Sequence, residues 1–266
     1  MRLFPAALLG LLTIPALAQT PKSYDCYRAA KPIRIDGKFD DRAWKSAPWT
    51  TDFIDITGSE DKKPRFRTRM KMLWDDTYLY IGAELEEPDV KAALTQHDAQ
   101  IFRENDFELF LKPLSDASGY FEFEINPLNT SWDLYLDKPY RQGGKADSSW
   151  EIPGLKTAIA VRGTLNKSSD KDQGWSVEIA IPWTAYASRL PVTKPQVGTE
   201  WRANFSRVEW PAGTVTPVEL HGSGHKEDNW VWTSQGEVNM HIPEQWGTMH
   251  FRGKPTGPAS SQNSNP

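Results

Sequence analysis

The chain has 266 residues, 31 basic and 35 acidic, for a formal net charge of −4. That balance argues against nucleic acid as a partner, because such binding rests on neutralising phosphates with Lys and Arg. A single cysteine, Cys26, allows no internal disulfide and reads as a small buried hydrophobe, while twelve tryptophans promise a core rich in large rings.

Taken in chain order, the first eighteen residues read as a signal peptide: Arg2, a short apolar run and an Ala16-Leu17-Ala18 junction. The run is too short to cross a bilayer, and nothing later approaches eighteen consecutive apolar residues. The expected organisation is a signal peptide over 1–18, a single β domain over 19–252 and a Gly/Pro/Ser-rich disordered tail over 253–266. The product would be soluble and exported, to the periplasm or beyond the cell.

Within the domain the dominant pattern is a period of two, the mark of half-buried strands. "PIRIDG" reads as a strand ending in a tight turn at Asp36-Gly37. "DDRAWKSA" reads as a short helix with Asp40 or Asp41 as its N-cap. In "RMKMLWDDTYLYIGAEL" the apolar set Met70, Met72, Trp74 passes through a turn to Leu79, Ile81, Ala83, Leu85, predicting a hairpin. Its other face carries Arg69, Lys71, Tyr78, Tyr80 and Glu84. "DFELFLKP" and "YFEFEINP" predict two more strands, with Phe107, Leu109, Leu111, Phe121, Phe123 and Ile125 in the core. Asp106, Glu108, Phe110, Tyr120, Glu122, Glu124 and Asn126 then share the opposite face. "WDLYLD", "TAIAVRGTLN" and "WSVEIAIPW" continue the pattern. "PWTAYASRL" suggests a second short helix with Pro182 in its first position. "WRANFSRVEW" sends Trp201, Ala203 and Phe205 inward and Asn204 outward, and "TMHF" closes the series. About ten short strands separated by turn signals indicate an all-β fold, an antiparallel jelly-roll-like sandwich. Trp44, Trp74 and Trp246 are expected to plug it.

Saccharide recognition needs planar polar side chains that meet pairs of hydroxyls, and flat rings that cover C–H faces. Glu108, Glu124, Asn126 and Asn204 suit the first task, Trp132 and Trp210 the second. The plain alternative is a solvated face of an antiparallel sheet, which by itself explains alternation. Hydrolysis by Glu108 and Glu124 is a further alternative, since neighbouring strands bring two carboxylates near the separation a glycosidase uses. No nucleophile or triad signature accompanies them. "HGSGH" spaces His221 and His225 four apart, but in a Gly/Ser loop that does not suit zinc. Asp170 and Asp172 in "SSDKDQG" read as a hairpin turn rather than a calcium loop. Met240, His241, Met249 and His250 are the residues that a haem-binding, electron-transfer reading would use as axial ligands.

Several stretches together resemble the family 9 carbohydrate-binding modules: "IRIDGKFDDRAW", "KMLWDDTYLYIGAEL", "NDFELFLKP", "YFEFEIN", "GWSVEIAIPW", "VGTEWRANFSRV" and "PEQWGTMHF". The resemblance runs from about Ile33 to Phe251 and is carried by order and spacing. It is closer still to stand-alone, exported bacterial members without a catalytic domain. It implies a β-sandwich that binds saccharide on a sheet face, takes part in polysaccharide catabolism and in some members carries structural calcium. Under it, Glu108 falls on a hydrogen-bonding carboxylate of those modules and Asn126 on one of their asparagines. Glu124 stands where they have an arginine. Phe102-Arg103 and Met240-His241 stand where they have two clamping tryptophans.

Overall fold

The computed structural model describes residues 20–212, 214, 217–218 and 226–254. The expected signal peptide, the His221 and His225 pair and nearly all of the expected tail therefore lie outside the described residues. Among those residues the strands are β1 (Ser23–Arg28), β2 (Ile54–Asp55), β3 (Thr68–Trp74), β4 (Tyr78–Leu85), β5 (Phe107–Lys112), β6 (Tyr120–Ile125) and β7 (Ser131–Leu136). They continue as β8 (Ala146–Asp147), β9 (Lys156–Arg162), β10 (Gly174–Pro182), β11 (Glu200–Glu209), β12 (Asp228–Val231) and β13 (Gly247–Arg252).

All are joined in one hydrogen-bonded path, β8-β7-β6-β5-β11-β13-β1-β3-β4-β10-β9, with β12 bridging β11 and β2. The sheet curls so that its two halves close on one apolar interior. Leu109, Phe123 and Phe205 from one half share that cluster with Met72, Ile81 and Ile179 from the other. The six side chains expected in the core of β5 and β6 are all there, none more than 1% exposed. Each such large apolar group stabilises the fold by about 1.5–3 kcal/mol relative to leaving it in water.

The predicted hairpin forms, with Trp74 opposite Leu79. Asp75 makes the turn, its Oδ1 accepting from the backbone N–H groups of Thr77 and Tyr78. The polar side of this hairpin is covered as well. Lys71 lies buried with its ammonium 4.2 Å from the Trp49 ring centroid, and Arg69 donates twice to Glu84.

Four expectations need correction. "PIRIDG" is not a strand; its turn instead presents the N–H groups of Asp36 and Gly37 to Glu178 Oε2 on β10. Gly37 is required there: its φ is +82° and a Cβ would stand 2.6 Å from the Ile159 carbonyl carbon. Both short helices are 3-10 turns, Arg42–Ser46 and Trp183–Ser188. Asp41 gives its carboxylate to the Arg34 N–H rather than to the helix, and Pro182 precedes its helix instead of opening it. The sandwich is not wholly antiparallel, because β1 runs parallel to both its neighbours, β13 and β3. Finally, the three tryptophans plug three different clusters, Trp74 the main core, Trp246 a second under β5 to β7 and Trp44 a third beneath the 29–47 segment.

Candidate functional site

Strand pairing sets Glu108 opposite Glu124 and Phe110 opposite Glu122, and on the next strand Trp132 opposite Glu124 and Leu134 opposite Glu122. These side chains share the face away from the main core. That face is not wet. The chain from Asn229 to Trp246 lies over it, and Phe110, Tyr120, Leu134 and Leu136 form a second apolar cluster with Val231, Met240 and Trp246.

Where the cover stops short, a cleft of about 510 Å³ remains. Glu108, Glu122 and Glu124 form its floor; Phe102, Phe110, Trp132, Tyr140 and His241 give it rings. Phe102 stacks beside Trp132, centroids 6.0 Å apart and planes 27° from parallel, and its backbone N–H donates to Glu124 Oε2 at 3.0 Å. Tyr140 meets His241 edge to face at 4.5 Å. Gln100, Asn229 and Asn239 add amides at the rim.

The floor is electrostatically unusual. Glu108, Glu122 and Glu124 are each at most 5% exposed, and Asp106 lies buried beside them. One oxygen from each of Asp106, Glu108 and Glu124 falls within 4.8 Å of the others. Burial pushes Glu108 up to about 7, against the lowering effect of the Ser206 hydroxyl. Glu122, Glu124 and Asp106 are held well above the ordinary carboxylate range, first by burial and then by the charge of Glu108. The row therefore holds protons more tightly than free carboxylates do, and a carboxyl that keeps its proton can donate a hydrogen bond where an ionised one only accepts. Burial lowers His241 to about 4, so its ring is neutral there, bonded through Nδ1 to the Tyr120 hydroxyl at 2.8 Å.

Of the six residues singled out from sequence, Glu108, Glu124 and Trp132 meet in this cleft. The other three lie elsewhere. Asn126 is buried and internally bonded: its amide donates to Glu104 and to the Leu94 carbonyl, and its oxygen accepts from Leu128 and Thr130. Asn204 does share the Glu108 face, but its side chain is bound on both sides by the backbone of Thr233. Trp210 lines a separate hollow with Arg65, Phe66 and Glu87, and its indole N–H donates to the Phe102 carbonyl. Sequence reasoning passed over Glu122, Tyr140 and Asn239. Glu122 alone carried a signal, since it alternates in phase with Glu124.

The positions of the two clamping tryptophans prove informative. Phe102, Met240 and His241 all line the cleft, so smaller groups stand at its walls. The haem ligand set is not assembled. Met249 packs in the main core while the adjacent His250 faces Glu200 on the other side of β13. Asp172 braces a turn, its two oxygens accepting from Thr164 and Val90, and Asp170 pairs with Lys167. Calcium takes six to eight oxygens. The row around Glu108 falls short of that, with Asp106 Oδ1 held by the Val208 N–H and Glu124 Oε2 by Phe102. Among the described residues, neither of these two groups forms a calcium cage.

Comparison with known proteins agrees with this architecture. Over residues 35–254 the chain matches the family described as carbohydrate family 9 binding domain-like. It is 26% identical over 224 residues to endo-1,4-beta-xylanase A of Thermoanaerobacterium saccharolyticum, covering 84% of this chain and 16% of that enzyme. It is 26% identical over 151 residues to exoglucanase XynX of Acetivibrio thermocellus, 57% of this chain and 12% of that one. The chain thus spans only a small part of these enzymes' length. Among solved structures, a family 9 carbohydrate-binding module of Caldicellulosiruptor kristjanssonii in complex with cellotriose superposes with a TM-score of 0.57 at 18% identity, over 89% of this chain and 100% of that one. A Bacteroides uniformis protein does so at 0.65 and 14% identity, over 88% and 100%. A match of the family model along most of the sequence, joined to the same curled β fold, leads to one assignment: the chain belongs to the carbohydrate family 9 binding domain-like family.

Proposed function

We propose that the cleft over β5, β6 and β7 binds a saccharide without chemically altering it, in an exported protein that takes part in polysaccharide or oligosaccharide breakdown. The observation that carries this reading is the row Glu108, Glu122 and Glu124 opening between aromatic walls at Trp132, Phe102 and Tyr140. Paired hydroxyls suit a carboxylate row, and ring faces suit the apolar side of a pyranose. Cellotriose and glucose in the related modules of Caldicellulosiruptor kristjanssonii support β-linked glucosides as the first ligands to try. No lysine or arginine lines the cleft among the described residues. That lining suits an uncharged sugar better than a uronic acid, whose carboxylate would meet no cation there. Export is supported by the apolar stretch after Arg2 and by the xylanase relatives.

A glycan array followed by calorimetry tests this. Trp132→Ala and Glu108→Gln should each weaken binding about tenfold or more, which is about 1.4 kcal/mol. Glu108→Gln is chosen over alanine because Glu108 is buried and alanine would leave a hole. An array with no neutral-sugar signal, or two variants that bind like wild type, overturns the proposal. Release of reducing ends from the same oligosaccharides would show hydrolysis instead.

A further inference from the structure

The alternation that sends Trp132 into the cleft sends Asp133 to the other side of β7, opposite Phe123. Asp133 is 1% exposed, and neither carboxylate oxygen makes a hydrogen bond of good geometry, the Ile152 backbone N–H being the one donor near enough to act on it. A carboxylate taken out of water with so few partners is strongly disfavoured, so something is expected to compensate it.

Three more donors converge on it. His97 Nε2 stands 3.6 Å from Asp133 Oδ1, 3.5 Å from Asp98 Oδ1 and 3.1 Å from Glu151 Oε2. Asp98 Oδ1 is likewise buried without a hydrogen bond. The other ring nitrogen, Nδ1, faces the Ser131 carbonyl at 3.1 Å. A carbonyl can only accept, so Nδ1 carries the hydrogen and Nε2 is the atom turned to the carboxylates. Histidines that ligate metals are held in this way, with the second nitrogen donating to a backbone carbonyl or a carboxylate.

The spacing fits a small cation. Tetrahedral ligands roughly 2.0–2.2 Å from zinc stand about 3.3–3.6 Å from one another. Here the ligand atoms of His97, Asp98 and Asp133 lie within 4.8 Å of one another, and the His97 contacts fall between 3.1 and 3.6 Å. An imidazole among the donors selects against calcium, which takes hard oxygens only, and for a borderline ion. We propose that His97, Asp98 and Asp133, with Glu151 as the outer ligand, form a binding site for a divalent cation of the zinc class. Glu151 is the exposed member and can swing to close the shell. The ion would tie the 97–98 turn and the 151 segment to β7, on the far side of the strand from the cleft.

The competing arrangement is a protonated His97 that neutralises the carboxylates by itself. Calorimetry with zinc chloride on untagged protein at pH 7 separates the two, with cobalt(II) absorption as a second readout. One equivalent of zinc is expected to bind, with His97→Gln and Asp133→Asn each weakening that event at least about tenfold. Millimolar calcium should neither bind there nor displace zinc. His97→Gln removes a half-exposed ring, so it reports on the site even where Asp133→Asn disturbs folding. The proposal is overturned if zinc gives no such event, if His97→Gln binds it unchanged, if calcium is preferred, or if the His97 imidazolium persists by NMR in excess zinc.

Discussion

Replacing Arg207 with leucine is expected to cost about 3–5 kcal/mol of stability, the usual penalty for removing one partner of a buried ion pair. At this chain length that corresponds to a melting temperature lower by roughly 6–20 °C. Arg207 lies on β11 pointing into the interior, wholly buried. Its guanidinium is used on every side. One nitrogen donates to Glu87 at 2.8 Å and Glu209 at 2.7 Å, another to the Glu86 carbonyl and the Thr68 hydroxyl, and the Trp230 ring lies 5.1 Å from its centre. Glu209 is pushed up to about 8, by burial first, with Arg207 pulling it down and Glu87 pushing it up. The guanidinium thus sits between two buried carboxyl groups, of which Glu209 holds its proton more tightly than a free glutamate does. Leucine leaves Glu87 uncompensated, and Arg207→Lys should rescue little because an ammonium cannot reproduce the fork. Adding Glu87→Gln to Arg207→Leu should recover part of the loss, since the stranded charge is what destabilises. A melting temperature within 3 °C of wild type for Arg207→Leu would show that the network is dispensable.

The same residue shows where sequence reading stops. Alternation gave the right side of β11 for Trp201, Ala203 and Phe205 and the right core side of β5 and β6, because a period of two fixes which side chains share a face. It gave Glu108, Glu124 and Trp132 to one cleft for the same reason. It could not say what lies over that face. Asn204 was placed correctly on the outer side, yet the Thr233 backbone, far along the chain, occupies its amide. Asn126 and Trp210 were lost similarly, to Leu94 and Phe102 carbonyls supplied by a loop without periodicity. Tyr140 and Asn239 come from such loops. A glutamate reads the same whether solvated or buried, so the closed state of the acidic row was illegible. The parallel pairing of β1 depends on a chain end returning beside β13, and no local pattern encodes that.

The buried acids also determine how stability follows pH. Folded-state values above the unfolded ones mean that the native protein keeps protons the unfolded chain has already lost, so stability falls as pH rises towards the folded values. Glu108 is pushed up to about 7 and Glu209 to about 8, while Glu122, Glu124 and Asp106 are raised well above the ordinary carboxylate range, by burial first and then by neighbouring carboxylates, Glu108 foremost. Among the groups that act the other way, two buried ones are shifted most. His241, lowered to about 4 by burial, adds stability as pH rises to about 6.5. Lys71, lowered to about 8 by burial, does so above that value. Between pH 6.5 and 8 neither offsets the acids. Each proton retained across that interval is worth about 1.4 kcal/mol per pH unit, so even one gives a loss near 2 kcal/mol. The melting temperature should fall by roughly 4–8 °C over the interval. Glu124→Gln keeps an acceptor for the Phe102 N–H and removes one titrating group from the row, so its curve should be shallower and cross above wild type by pH 8. Melting curves that stay level from pH 6.5 to 8, or that run parallel for the two proteins, would mean that the row is ionised and solvated, and would remove the retained protons from the proposed sugar contact.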